Sequence, residues 1–161
     1  MRPPKINGIN KLEARSPPEG IRMTTFFTIG YGGRTKDELL ALLLENGVKT
    51  VADLRLRPDR ASMGIWVKAK TANKGIESWL AEAGIQYYSL IELGNMFLDF
   101  DDWQNRYEEL LRTSGSLLTE RLTALAGPVC LLCAEKRVLE CHRLHVANFL
   151  VAQSGAEVRH L

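Results

Sequence analysis

Residues 25–29 of the chain read TFFTI, and they are followed by the loop GYGGR at 30–34 and the helical pattern KDELLALLLE at 36–45. Thr35 lies just before that pattern, where a threonine commonly caps a helix. From this point onward, short apolar runs alternate with helical patterns, which is typical of a parallel sheet with connecting helices. The sequence therefore predicts a single three-layer α/β domain, with a mostly parallel sheet of about five strands and helices on both faces.

The same alternation predicts the remaining elements. Strands are expected at 25–29, 50–54, 85–90, 129–133 and 157–160, and helices at 36–45, 76–83 and 141–153. The stretch from Phe100 to Ala126 predicts two helices that are broken near Ser114-Gly115-Ser116. The connection over residues 55–74 exceeds the usual strand-to-helix link of about 2–6 residues, so we expect it to cover a site, with Trp66 over the mouth.

Length, composition and charge restrict the class of protein. A chain of 161 residues with 45% hydrophobic and 25% charged residues is typical of one soluble globular domain, assigned here to residues 24–161. Residues 1–23 hold five basic and two acidic residues with several prolines, which predicts a flexible basic N-terminal tail. No apolar run is long enough for a membrane span or a secretory signal, so we expect a cytoplasmic protein with no membrane partner. The remainder carries a slight acidic excess, which argues against general duplex binding.

Parallel sheets bind ligands beyond the carboxyl ends of their strands. The residues at these positions are polar or small: Gly30-Tyr31-Gly32-Gly33, Asp53-Leu54-Arg55, Glu92-Leu93-Gly94 and Cys133-Ala134-Glu135. Cys141, His142 and Arg143 are expected in the first turn of the next helix, where free N–H groups and the helix dipole favour an anion and a reactive thiolate. The sequence thus predicts a polar site at one edge of the sheet.

The segments Thr28-Ile29-Gly30-Tyr31, Asp53-Leu54-Arg55, Glu92-Leu93-Gly94, Cys133-Ala134-Glu135 and Cys141-His142-Arg143 occur in that order. With these motifs the chain resembles the bacterial and archaeal family called domain of unknown function 488, over about residues 25 to 161. The resemblance implies an α/β domain with a polar site at the strand ends. It implies no reaction, because the family is named for lacking one.

The residues favour binding of a phosphorylated nucleotide or nucleic-acid end. They leave open whether the protein also processes that ligand. In this hypothesis the partner is a phosphorylated small molecule or nucleic-acid end, and the catalytic candidates are Asp53, Glu135, Cys141 and His142. The ligand-binding candidates are Gly30, Tyr31, Gly32, Arg55, Cys133 and Arg143. The alternative is a non-catalytic nucleotide or nucleic-acid binding module. The oligomeric state is left open.

The cysteines and histidines of this segment suggest two further kinds of site, a reactive thiol and a zinc site. Rhodanese-like thiol chemistry at Cys141 is an alternative, although Cys133 to Arg143 is a longer span than the loops of such enzymes and contains no glycine. A zinc site built from Cys133, Cys141, His142 and His145 has unusual spacing, and Cys141 is expected to point away from the histidines. We therefore predict no metal site and no cofactor, while a weakly held divalent cation on Asp53 or Glu135 stays open.

Overall fold

The computed structural model describes residues 24–161, so the predicted tail at 1–23 lies outside the described residues. Within the described part the strands are β1 (Thr25–Gly30), β2 (Thr50–Asp53), β3 (Gln86–Ser89), β4 (Val129–Cys133) and β5 (Glu157–His160). The helices are α1 (Lys36–Glu45), α2 (Gly75–Glu82), α3 (Trp103–Leu118), α4 (Glu120–Thr123) and α5 (Arg143–Ser154), with short 3₁₀ turns at Gly64–Trp66, Ile91–Leu93 and Val138–Glu140.

The five strands form one sheet in the order β3-β2-β4-β1-β5, and all neighbouring strands are parallel. β4 lies at the centre, and its five residues are all buried, which explains its continuous apolar sequence VCLLC. Its last residue, Cys133, pairs with Gly30 at the end of β1, while Leu132 pairs with Asp53 at the end of β2. The carboxyl ends of these three strands therefore meet, as the sequence predicts.

Two hydrophobic cores lie on opposite faces of the sheet. One contains residues of α3, α4 and α5, including Tyr107, Leu122 and Leu150. The other contains residues of α1 and α2, including Leu39 and Leu80. The predicted three-layer α/β domain with helices on both faces is thereby confirmed. No helix among residues 24–161 has the length and apolar content needed to cross a membrane.

Two helix predictions were wrong. α3 continues through Ser114-Gly115-Ser116 and ends only at Leu118. Gly115 allows α3 to pack closely against α5, because a Cβ at this position would lie 2.5 Å from the ring of Phe149 on α5. α5 begins at Arg143 and not at Cys141, because the 3₁₀ turn at Val138–Glu140 holds the preceding residues in a different conformation.

Gly30 ends β1 in close contact with the segment that follows β4. A Cβ on Gly30 would lie 1.7 Å from the carbonyl oxygen of Glu135 and 2.9 Å from the Cα of Lys136. Both atoms are main-chain atoms, so a side-chain rotation cannot relieve the overlap. The glycine is therefore required for β1 to approach this segment.

We predict that Gly30→Ala lowers the free energy of unfolding by about 1–3 kcal/mol or more, because overpacking usually has a cost of this size. Gly64→Ala is the matched control, because a Cβ there meets no atom within 4 Å and Gly64 does not have a positive φ. Urea unfolding measures both variants. Equal free energies of unfolding for the two would show that the close approach at Gly30 is not a constraint.

Candidate functional site

A cleft opens at the carboxyl edge of the sheet, between the ends of β1, β2 and β4. Its volume is about 230 Å³. Five residues proposed from the sequence line it, namely Tyr31, Arg55, Cys133, Glu135 and His142. The other lining residues are Leu56, Arg57, Arg60, Asn95, Leu98 and Ala134. We call it the strand-end cleft.

Arg143 holds the wall of this cleft in place. Its side chain is only 1% exposed, and its guanidinium donates to the carbonyl oxygens of Glu135 and Lys136 and to the hydroxyl of Thr28. We call this set of bonds the Arg143 clamp. It ties the start of α5 to the segment after β4 and to the middle of β1.

Arg143, Gly30 and Gly32 were predicted to bind a ligand, and the structure gives each of them contacts within the protein instead. The donors of Arg143 are directed at main-chain carbonyls, and Arg143 does not line the strand-end cleft. Gly30 and Gly32 lie against residues 134–136, and the Gly32 N–H donates to the carbonyl of Ala134 at 2.8 Å. The structure therefore gives these three residues a structural task.

Cys141 also occupies a different place from the one predicted. Its N–H donates to the carbonyl of Val138 at 3.1 Å, so the free donor expected at a helix start is used. The N–H of Arg143 lies 3.5 Å from the Sγ atom of Cys141 and donates to it. The Cys141 side chain does not line the cleft, and the thiol that faces the cleft belongs to Cys133.

Cys133, Cys141 and His142 converge in a buried cluster. The Nδ1 atom of His142 lies 3.7 Å from the Sγ atom of Cys133 and 3.9 Å from that of Cys141. The prediction that Cys141 points away from His142 was therefore wrong, because the 3₁₀ turn at Val138–Glu140 reverses the chain between the two cysteines. His145, also considered with this group, contacts Glu108 and Trp103 instead.

The two thiols of this cluster have opposite pKa shifts. Hydrogen bonding with Cys133, opposed by burial and reinforced by His142, lowers the pKa of the Cys141 thiol to about 5. The same contact with Cys141, together with burial and Glu135, raises the pKa of Cys133. The Cys133 thiol donates to the Oε2 atom of Glu135 at 3.0 Å. The cluster thus favours one thiolate and one thiol.

Asp53 lies beneath the cleft in a fully bonded arrangement. Its carboxylate is completely buried and accepts hydrogen bonds from the Arg55 guanidinium, from the Arg55 main chain and from the Tyr87 hydroxyl. Burial, followed by the charge of Asp53, raises the pKa of Tyr87. Asp53 does not line the cleft, so the structure gives it the task of orienting Arg55.

The connection after β2 forms part of the cleft, but Trp66 does not cover its mouth. Trp66 is 2% exposed and stacks on Tyr31 with ring centroids 4.8 Å apart. Arg55 approaches the same tyrosine, with its guanidinium carbon 5.2 Å from the ring centroid. Trp66 therefore fixes Tyr31 from the core side, because an indole of this size is more stable when buried than at a wet rim.

Comparison with known proteins gives one family match. The sequence profile of the family described as Domain of unknown function DUF488 matches residues 35–150. The chain belongs to the DUF488 family. Searches of curated proteins and of solved structures give no match. The DUF488 match includes most residues of the strand-end cleft, while Tyr31 precedes it.

In this DUF488 chain, sequence reasoning missed three polar residues of the cleft. Arg57 and Arg60 belong to the basic segment after β2, and Asn95 follows the Glu92-Leu93-Gly94 motif directly. Asn95 is 3% exposed, and its Nδ2 donor has no hydrogen-bond partner in the described part of the chain. The only sign in the sequence that these three residues belong to the site was their position close to the motifs. The unpartnered amide becomes visible only in the folded structure.

We predict that Asp53→Asn lowers the free energy of unfolding by about 3–5 kcal/mol, because Arg55 would stay buried without its counter-charge. Asp59→Asn is the control, since it breaks the exposed pair of Asp59 with Arg57. Exposed pairs contribute little, so this variant should unfold almost like the parent protein. Urea unfolding at neutral pH distinguishes the two, and similar stability of both variants would contradict the role given to the buried pair.

Proposed function

We propose that the strand-end cleft binds a phosphorylated nucleotide unit, either as a free nucleotide or at the end of a nucleic acid. The observation that carries this proposal is the set of hydrogen-bond donors around one small cleft. Arg57 and Arg60 are exposed at its rim, and the buried Asn95 contributes an amide donor that has no partner among residues 24–161. A phosphate group has several acceptor oxygens and a negative charge, which suit such a set.

Charge at the cleft supports an anionic ligand. Arg55 is neutralised by its buried pair with Asp53, whereas Arg57 has only an exposed pair with Asp59. Across residues 24–161, Arg60 makes no ion pair. Exposed pairs exchange readily with other partners because each contributes little free energy. Arg57 and Arg60 are thus the guanidinium groups that a ligand phosphate can recruit.

Size and polarity of the cleft support a ligand that is only partly enclosed. A volume of about 230 Å³ lies below the roughly 300–1,000 Å³ of pockets that enclose a whole drug-sized ligand. Leu56 and Leu98 line it and are 40% and 59% exposed, so an apolar rim lies beside the arginines. We expect a phosphate and its sugar to enter, with the base against the leucines and any further chain outside.

Processing of the ligand is a separate part of the proposal. Glu135 lines the same cleft and belongs to a residue type used for acid–base catalysis. A non-catalytic binding module would release its ligand with unchanged mass, whereas an enzyme would change that mass. Mass spectrometry of nucleotides and 5′-phosphorylated oligonucleotides after incubation with the full chain distinguishes the two.

We predict that Arg60→Ala and Arg57→Ala each weaken binding of a 5′-phosphorylated oligonucleotide about tenfold or more, because a hydrogen bond to a charged group contributes about 1.5–3 kcal/mol. Arg112→Ala is the matched control, since Arg112 is exposed on α3 and does not line the cleft. Fluorescence anisotropy measures the affinity, and melting curves check the fold.

The ligand panel gives the test its second arm. The same oligonucleotide without its phosphate should bind at least tenfold more weakly, and a nucleoside monophosphate tests whether a free nucleotide suffices. Failure of every phosphorylated compound to bind, or equal affinity of Arg60→Ala and the parent protein, would refute the proposal.

A further inference from the structure

The cluster of Cys133, Cys141 and His142 brings three soft donor atoms to one point. The two sulfur atoms and one imidazole nitrogen all lie within 4.8 Å of one another. The three residues are 2–5% exposed, so the donors are shielded from bulk water. Thiolate and imidazole together are the ligands that zinc prefers in proteins.

The orientation of His142 shows which ring nitrogen is available. Its Nε2 atom lies 2.9 Å from the carbonyl oxygen of Leu54, which can only accept a hydrogen bond. In the neutral imidazole, Nε2 therefore carries the proton, and the lone pair of Nδ1 points towards the two sulfur atoms. Metal-binding histidines are commonly held in this way by a main-chain carbonyl on the far nitrogen.

We infer that Cys133, Cys141 and His142 bind one Zn²⁺ ion through Sγ, Sγ and Nδ1. With Zn–S bonds of about 2.3 Å and Zn–N bonds of about 2.0–2.1 Å, a tetrahedral site has sulfur–nitrogen separations of about 3.5 Å. The separations of 3.7 and 3.9 Å in this chain need only a small adjustment to reach that value. Zinc binds both sulfur atoms as thiolates, so the one thiol proton that the pair still carries passes to solvent, and no oxidation state changes.

The surroundings of the cluster suit a metal thiolate. The N–H of Arg143 donates to the Cys141 sulfur, and the ring of Tyr107 packs edge-on against His142 with centroids 5.3 Å apart. These contacts restrict the rotamers of two ligands. Held side chains lose less conformational entropy when the metal binds, which increases affinity.

The fourth coordination position faces the strand-end cleft, because two of the three ligands, Cys133 and His142, line that cleft. Zinc sites with three protein ligands and a fourth position for water or substrate are typical of catalysis. The Glu135 carboxylate lies beside this position, 3.0 Å from the Cys133 sulfur. We therefore assign the fourth position to a water molecule or to an oxygen atom of a ligand in the cleft.

The test uses the full chain, reduced, treated with a chelator and then titrated with Zn²⁺ or with Co²⁺ as a coloured probe. We expect about one zinc ion per chain, and a Co²⁺ spectrum with an intense sulfur-to-metal charge-transfer band. Cys133→Ala, Cys141→Ala and His142→Ala should each weaken zinc binding more than tenfold. Cys130→Ala and His145→Gln are the matched controls, because Cys130 and His145 lie outside the cluster, and both should bind like the parent protein.

Circular dichroism checks that each variant folds, and the charge-transfer band of the unaltered protein reports sulfur ligation without any substitution. Absence of zinc binding, a cobalt spectrum without the sulfur band, or full affinity in folded Cys133→Ala would overturn the assignment. The site stands independently of the proposed function, because it needs none of the cleft arginines. Arg60→Ala should therefore lose the phosphorylated ligand and keep the zinc.

Discussion

The site depends on one buried cation, the guanidinium of Arg143. A charge at 1% exposure is costly unless its donors are satisfied, and here they meet two main-chain carbonyls and the hydroxyl of Thr28. These bonds prevent residues 134–136 from leaving the edge of the sheet. The same residues press against Gly30 and Gly32, so the segment is held from both sides. Cys133 and Glu135 are positioned as a result.

The strand-end cleft then has two chemically different walls. Arg57 and Arg60 form a cationic rim on the segment after β2, with Asn95 contributing a buried donor nearby. The other wall holds Cys133, Glu135 and His142. An anionic ligand on the first wall would present its reactive atoms to the second. Because the two walls are formed by different residues, a substitution in the cationic rim is expected to leave the proposed zinc ligands in place.

The fold could be predicted because the patterns that indicate its strands and helices each lie within a short stretch of sequence. Alternation of apolar runs and helical patterns marks the strands, and parallel topology brings their carboxyl ends together. The site was only partly predictable, because charge and spacing do not show which donors are already used. Arg143 has the charge of an anion-binding residue, but its guanidinium donors are already bonded to main-chain carbonyls. Cys133 and Cys141 are eight residues apart, and only the turn at Val138–Glu140 brings them together.

Zinc K-edge X-ray absorption of the zinc-loaded full chain shows whether Cys133, at the end of β4, and Cys141 and His142, just before α5, bind the metal. We expect two sulfur neighbours at about 2.3 Å and lighter neighbours, including one imidazole, at about 2.0–2.1 Å, as the zinc assignment requires. A first shell of nitrogen and oxygen atoms alone would contradict it, because Cys133 and Cys141 would then not be ligands.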